Sequence, residues 1–375
     1  MSKILLIAEF NVSGGGTLEY FKTVLRFYSS QEYEVVIGLN KKQINEETSL
    51  FIENLGFRFF LIPERKGYFK KAKVPFVVSI IFDLFSILPI IFKVKPDIIV
   101  VSTGTPVNFL GLILLPLKFL YVVHSYPTSG RKVSVKGLIL NLCLNKNKRI
   151  LTVSEFSKKN IVKYWTGNRK RDYVHVIYNT LDLNKLVKKR KINIKRKINR
   201  VITVGHVRSY KNPMLWVEVA KRVIEKLGSR YVEFIWAGSG ELLPECQKLG
   251  KDIKSEKIRF IGYQKDIGLL YSTGTIYFQP SLIESHGLSV VEAMRWGLPC
   301  VVTNVGGMPE SVVDNETGFV IGVEDVDVMV DKIVLLLTNK ELRIKMGNAG
   351  YHRYINNFSY EIWHSKMVKL YSEIR

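Results

Sequence analysis

Short apolar runs alternate with amphipathic stretches along almost the whole chain. Residues 3–10 (KILLIAEF) form the first run, which ends at the glycine-rich loop Ser13-Gly14-Gly15-Gly16. Leu18, Phe21, Val24, Leu25 and Tyr28 then recur at helical spacing. Further runs at EVVIGL (34–39), FFLIP (59–63), PDIIVVS (96–102), KFLYVVHS (118–125), RILTVS (149–154) and YVHVIYN (173–179) predict strands. Strand-length runs separated by helix-length segments predict parallel βαβ units, because parallel neighbours need a long crossover.

The pattern breaks at LVKKRKINIKRKINR (186–200), which is strongly basic and has no useful apolar face. It reads as a linker, the alternative being a segment that binds RNA or lipid headgroups. A second series follows at RVITVGH (200–206), VEFIWAG (232–238), KIRFIGY (257–263), TIYFQPS (275–281) and PCVVTNVGG (299–307). The chain ends on an amphipathic stretch, SYEIWHSKMVKLYSEI (359–374). The expected organisation is a domain over 1–183, a basic linker over 184–199, a second domain over 200–355 and a terminal helix over 356–375. The expected class is α/β, with two facing doubly wound, Rossmann-like domains and a ligand cleft between them.

Composition narrows the picture. The chain has 375 residues, 47% of them hydrophobic and 24% charged, which fits a globular protein of two domains. Its formal net charge is +23, which favours anionic partners: nucleic acid, an anionic membrane surface or phosphorylated ligands. Cys143, Cys246 and Cys300 are far apart and show no metal or redox spacing, as expected in a reducing compartment. The run after Lys3 is too short for a signal-peptide core, so it reads as the first strand of a cytoplasmic protein.

One segment approaches membrane-span length, VPFVVSIIFDLFSILPIIF (74–92). Asp83 near its centre and Pro89 near its end argue against a span; a mid-membrane Asp costs roughly 3 kcal/mol. A buried or membrane-facing helix is expected. Just before it, Arg65, Lys66, Lys70, Lys71 and Lys73 interleave with Tyr68, Phe69 and Phe76. Basic residues favour an anionic leaflet and aromatics settle at headgroup depth, so 64–76 reads as a peripheral docking segment.

The chemistry concentrates in PSLIESHGLSVVEAMRWGLPCVVTNVGG (280–307). Glu284 lies in a loop, Gly287 marks a turn, and LSVVEAMRWG (288–297) reads as a helix with Glu292 one turn inside it. The backbone N–H groups of Leu288, Ser289 and Val290 are expected to be free at the helix start, a site for an anion such as a diphosphate. Glu292 then reaches a ribose diol, and Glu284 accepts hydrogen bonds from sugar hydroxyls. Taken alone, the two glutamates favour the reading of a loop carboxylate and a solvated helical one. At the other end of the chain His124 stands at a strand end, before Ser125 and Pro127.

The whole string resembles the E-x7-E signature of the retaining glycosyltransferase family numbered four, which has the GT-B fold. Gly14-Gly15-Gly16 resembles that family's first glycine loop, and His124 in VVHSYP its active-site histidine. TVSEFSKKNI (152–161), VIYNTLDL (176–183), VGHVRSYKNP (204–213), AGSGEL (237–242), FIGYQKD (260–266) and FSYEIW (358–363) resemble further stretches in the family's order. The resemblance implies that Lys211 neutralises the donor diphosphate and improves the leaving group. Gly262 and Tyr263 approach the base, Glu284 holds the donor sugar and Glu292 the ribose. His124 contacts the transferred sugar. Gly15 and Gly16 admit the phosphate and acceptor, while Gly238, Ser281, Gly287, Leu288 and Ser289 complete the donor site. The family's usual arginine after the phosphate-loop glycine is replaced by His206; either Arg208 two residues on takes over its role or the grip rests on Lys211 alone, and Arg208 is favoured.

The implied activity is transfer of a hexose-type sugar from a UDP- or GDP-sugar, with retention, to a glycan acceptor. A lipid-linked acceptor in bacterial surface-polysaccharide (lipopolysaccharide or capsule) synthesis, at the cytoplasmic face of the inner membrane, fits the basic–aromatic segment. No cofactor beyond the nucleotide sugar and no metal is expected, and the side chains of Lys211 and Glu284 are expected to be polar, cleft-facing and free of core duties. The alternatives are a nucleotide-sugar epimerase of the same fold and a basic nucleic-acid-binding protein. The latter rests on charge alone and lacks a stacking or groove-reading module, so no nucleic acid is expected.

Overall fold

The computed structural model describes residues 2–10, 12, 15–63, 76–103, 108–127, 135–181, 198–252 and 256–374. Gly14, the segment 64–75 and most of the expected linker (184–197) lie outside the described residues. The chain divides into two units, Met1–Asp182 with Trp363–Arg375, and Leu183–Ile362.

The first unit holds β1 (Lys3–Ala8), β2 (Glu34–Leu39), β3 (Arg58–Leu61), β4 (Ile98–Thr103), β5 (Lys118–Val123), β6 (Lys148–Thr152) and β7 (Val174–Val176). They form one sheet in the order β3-β2-β1-β4-β5-β6-β7. Every pairing is parallel. β4 is buried along its whole length, and β1 and β5 are buried after their first residue, which is why they read as apolar runs. The order reverses between β1 and β4, which makes that point the sheet's topological switch.

The second unit holds β8 (Asn199–Val204), β9 (Val232–Ala237), β10 (Ile258–Phe260), β11 (Ile276–Gln279), β12 (Cys300–Thr303) and β13 (Gly318–Ile321). Their order is β10-β9-β8-β11-β12-β13, again parallel throughout, with the switch between β8 and β11. β13 was not expected from the sequence; GFVI is short and begins on glycine. Helix Pro213–Leu227 starts on Asn212, which adopts a left-handed conformation and caps Leu215 N, with Pro213 in the first turn. Its Trp216 packs edge-on against Phe234, Trp236 and Phe260 and donates its indole N–H to Thr203 Oγ1 at 2.7 Å.

Helix Phe76–Val94 covers the first sheet rather than standing alone. Ile80, Asp83, Ile87, Ile90, Ile91 and Val94 are buried, while Val78, Ile81, Phe85 and Phe92 face outward. Phe85 is 73% exposed and Phe92 72%. Among the described residues no helix is long and apolar enough to cross a membrane.

The last helix, Tyr360–Ile374, changes units part-way, at Trp363. The sequence suggested a boundary near 355. The handover comes later because Tyr354 and Phe358 are buried in the second unit, where Arg353 donates to the carbonyls of Ser311 and Glu310 at 2.8 and 2.7 Å. From Trp363 on, the helix packs on helix Gly16–Ser30. Trp363 meets Phe27 and Tyr20 edge-on, Tyr28 and Tyr371 share a hydroxyl hydrogen bond, and Arg149 pairs with Glu373. Trp363→Ala should lower the unfolding free energy by about 3–5 kcal/mol through the lost aromatic packing. Tyr371→Phe, which strands the buried Tyr28 hydroxyl, should lower it by about 1–3 kcal/mol. Denaturant titration with unit-resolved probes checks both; unchanged midpoints would show that the terminal helix is not docked in this way.

Candidate active site

The carboxyl ends of β8 and β11 bring the second unit's polar side chains together. Gly205 follows β8 with φ of 152°, and the chain then turns through Ser209–Lys211. This turn presents Lys211, which is buried and forms an ion pair with Glu284. Gln279, the last residue of β11, donates from Nε2 to Glu284 Oε2 at 3.0 Å and to Ser281 Oγ at 3.2 Å. Its Oε1 accepts from Tyr277 OH at 2.7 Å and from Ser289 Oγ at 2.9 Å. Every polar atom of this buried amide is therefore engaged, which fixes its orientation and that of its neighbours.

Backbone contacts hold the loops in register. The loop carrying Glu284 is clamped to the lysine turn by Leu282 N–H donating to the Tyr210 carbonyl at 2.8 Å. Gly306, with φ of 56°, lies against the Glu284 carbonyl so closely that a Cβ would overlap it. Gly238 stands in the same relation to the Gly205 carbonyl, and its N–H donates to the Gly262 carbonyl at 2.8 Å. Only glycine permits such approaches at these dihedrals.

Gly287 takes a left-handed conformation and starts helix Leu288–Arg295. Of the three N–H groups expected to be free there, Val290 donates to the Gly287 carbonyl at 2.9 Å; it closes the first turn and is not open to a ligand. Glu292 lies one turn on, where Tyr271 OH donates to its Oε2 at 2.9 Å and also to the Ser289 carbonyl at 3.1 Å. Tyr263 is exposed beside Gly262, which has φ of 70°. His206 sits with Nδ1 3.3 Å from the Ser239 carbonyl. The buried Nε of Arg208 finds no hydrogen-bond partner among the described residues. Lys211 and Glu284 thus hold each other in place. Removing either leaves a largely buried charge unpaired. Gln279, Tyr277, Tyr271 and Gly306 were not singled out from sequence. Only the polar Gln279 ending an apolar strand gave a signal.

In the first unit Gly15 has φ of 107° and starts helix Gly16–Ser30, and a Cβ on Gly16 would meet open space. His124 follows β5. Its Nε2 lies 3.0 Å from Ser102 Oγ, and its ring packs edge-on against Tyr20 of that helix at 4.5 Å. The glycine loop's helix and His124 are therefore neighbours. Burial pushes His124 down to about 4, so its imidazole is neutral at pH 7. Burial likewise lowers His286 to about 3, and burial followed by the Arg149 charge lowers His175 to about 4.

These histidines tie stability to pH. Unfolded, each titrates near 6.5. Folded, they take up protons only near 4 or below. The unfolded state therefore binds more protons between pH 6.5 and 4, and stability present above that window is lost as pH falls through it. Melting temperature should decline over this range, and His286→Asn should flatten the decline. An unaltered slope in the variant would remove His286 from the account.

Residues 184–353 match the family model described as Glycosyl transferases group 1. An uncharacterized glycosyltransferase of Haemophilus influenzae is 27% identical over 350 residues, covering 90% of this chain and 91% of the relative. The Escherichia coli UDP-Gal:alpha-D-GlcNAc-diphosphoundecaprenol alpha-1,3-galactosyltransferase is 28% identical, but covers 54% of each chain. Among solved structures, a glycosyltransferase from Rickettsia africae superposes with a TM-score of 0.79 at 20% identity, covering 100% of this chain and 98% of the other. Anabaena HepE in complex with UDP and glucose superposes with a TM-score of 0.72 at 15% identity, covering 99% and 100%. The second unit thus matches the glycosyl transferases group 1 family, in a chain whose two parallel, Rossmann-like units have the fold of GT-B glycosyltransferases.

Proposed function

We propose that the protein is a retaining, metal-independent hexosyltransferase. It moves a sugar from a UDP- or GDP-sugar to a glycan acceptor carried on a lipid, in bacterial surface-polysaccharide synthesis. The observation that carries this reading is the network at the β8/β11 switch, in which Lys211, Glu284, Gln279 and Ser289 are joined by hydrogen bonds and an ion pair. It sets a cation, a sugar-binding carboxylate and a helix start side by side. The diphosphate lies on Lys211, the Arg208 guanidinium and the N–H groups of Leu288 and Ser289, whose combined positive potential stabilises the leaving group. The unused Nε of Arg208, set against the carbonyl-facing ring of His206, favours Arg208 for this task. Glu284 takes the sugar hydroxyls and Glu292, oriented by Tyr271, the ribose. The acceptor oxygen attacks the face the diphosphate leaves, and the diphosphate takes its proton.

The test is donor binding followed by turnover. A thermal-shift screen of UDP, GDP and their sugars should find one nucleotide that stabilises the chain, by about 2.7 kcal/mol at a hundredfold excess over Kd. Glu284→Gln preserves volume and hydrogen bonding and should reduce kcat on the order of a hundredfold. Glu292→Ala should raise donor KM more than it lowers kcat, since the ribose does not react. Activity should persist in excess chelator. Near-normal turnover of Glu284→Gln, or loss of activity in EDTA restored by magnesium, would count against the reading.

The membrane part of the proposal rests on the outward face of helix Phe76–Val94. Val78, Ile81, Phe85 and Phe92 recur along it at helical spacing and remain exposed. The basic–aromatic segment that precedes it lies outside the described residues; its sequence supplies the charge that complements an anionic leaflet. Wild-type protein should float with vesicles rich in anionic lipid. Replacing Lys66, Lys70, Lys71 and Lys73 by Ser, or Phe85 and Phe92 by Ser, should release it while leaving nucleotide binding intact. Wild type that stays in solution with anionic vesicles at low salt defeats the idea.

A further inference from the structure

Glu9 ends the first strand and has no part in the reading above. Its N–H donates to the Ser102 carbonyl at 2.8 Å, which carries the β1/β4 ladder one step past Ala8. The carboxylate is therefore stationed at the switch point of the first sheet, where crossovers leave for opposite faces and a crevice opens at the strand ends. Thr103 Oγ1 donates to Oε2 at 2.5 Å. Asn108 Nδ2 donates to Oε1 and Oε2 at 2.8 and 2.7 Å. Asn108 is in turn held by Tyr121 OH, which donates to its carbonyl at 2.9 Å.

The corresponding point of the second unit has the opposite character. There the carboxylate Glu284 is matched by Lys211, with Arg208 close by in sequence, as suits a phosphate. At Glu9 the hydrogen-bond donors among the described residues are a hydroxyl and an amide, both neutral. Three contacts leave about one of the carboxylate's four acceptor positions open. A charge placed in this way draws neutral O–H donors and repels phosphates and carboxylates, even in a chain of net charge +23.

We propose that Glu9 is a specificity-determining residue for the acceptor. It accepts a hydrogen bond from a hydroxyl of a neutral sugar ring and disfavours rings that carry an anionic group at that place. The proposal rests on the glycosyltransferase reading and assigns the first unit's switch point within it.

Binding of two soluble probes, octyl glucoside and octyl glucuronide, to the full chain saturated with its nucleotide tests this by titration NMR. Wild type should prefer the neutral glycoside by about tenfold or more, the scale of one charge-assisted contact. Glu9→Gln should lose most of that preference while its nucleotide Kd stays unchanged, a readout that a merely structural role would not leave intact. Glu9→Asp, which keeps the charge but shortens the reach, should weaken the neutral glycoside and still reject the glucuronide. Wild type that binds both probes alike, or neither, overturns the proposal, and so does a Glu9→Gln variant that keeps the preference. A wild type that binds no nucleotide overturns the reading beneath it instead.

Discussion

A parallel strand can be joined to its neighbour only by a crossover that returns over one face of the sheet, and that constraint places the polar side chains of both units. All pairings in both sheets are parallel. The loops leaving the carboxyl ends therefore collect along one edge of each sheet. The order reverses once per sheet, at β1/β4 and at β8/β11. Glu9, Ser102 and Thr103 stand at the first reversal; Gly205, Gln279 and Glu284 stand at or just past the second. The alternation of apolar runs, whose purpose is burial, thus also decides where polar chemistry collects.

What happens at each reversal is set by how charge is compensated. Lys211 and Glu284 are largely shielded from water, and a shielded pair carries a desolvation penalty that good geometry only roughly offsets. Gln279 improves the balance by donating to the same carboxylate oxygen. Such a pair is better understood as a device that holds two reactive groups in place than as a source of stability. It also makes either partner a poor site for truncation, since the remaining charge is left without compensation. Glycines do comparable work on the backbone. Gly238 against Gly205 and Gly306 against Glu284 bring loop ends closer than any side chain would allow.

The amphipathic patterns, strand runs and terminal helix were legible because burial imposes a period on the residues that undergo it. β2 and β5 begin where their runs begin, and Leu288–Arg295 follows its turn as the pattern at 288–297 suggests. β13 escaped because four residues starting on glycine carry too little periodicity. The unit boundary at Trp363 escaped because helix Tyr360–Ile374 is continuous, and a helix does not record where its packing partner changes. Helix Phe76–Val94 was expected to be buried or membrane-facing; only packing revealed that Asp83 lies inward and Phe85 outward.

The sequence by itself determined the two α/β series, the position of the glycine turns and the residue types at the strand ends and in the loops and helix that follow them, including Glu284, Glu292, Lys211 and His124. These are local properties, carried by period, by dihedral demand and by the chemistry of a residue where an apolar run stops. Which of those residues pair was decided only by the tertiary structure. Gln279 turns toward Glu284, Tyr271 toward Glu292, Ser102 toward His124, and Asn108 toward Glu9 from 99 residues away. Such contacts join groups far apart in the chain, and their geometry follows from strand order and burial, which no single segment of sequence contains.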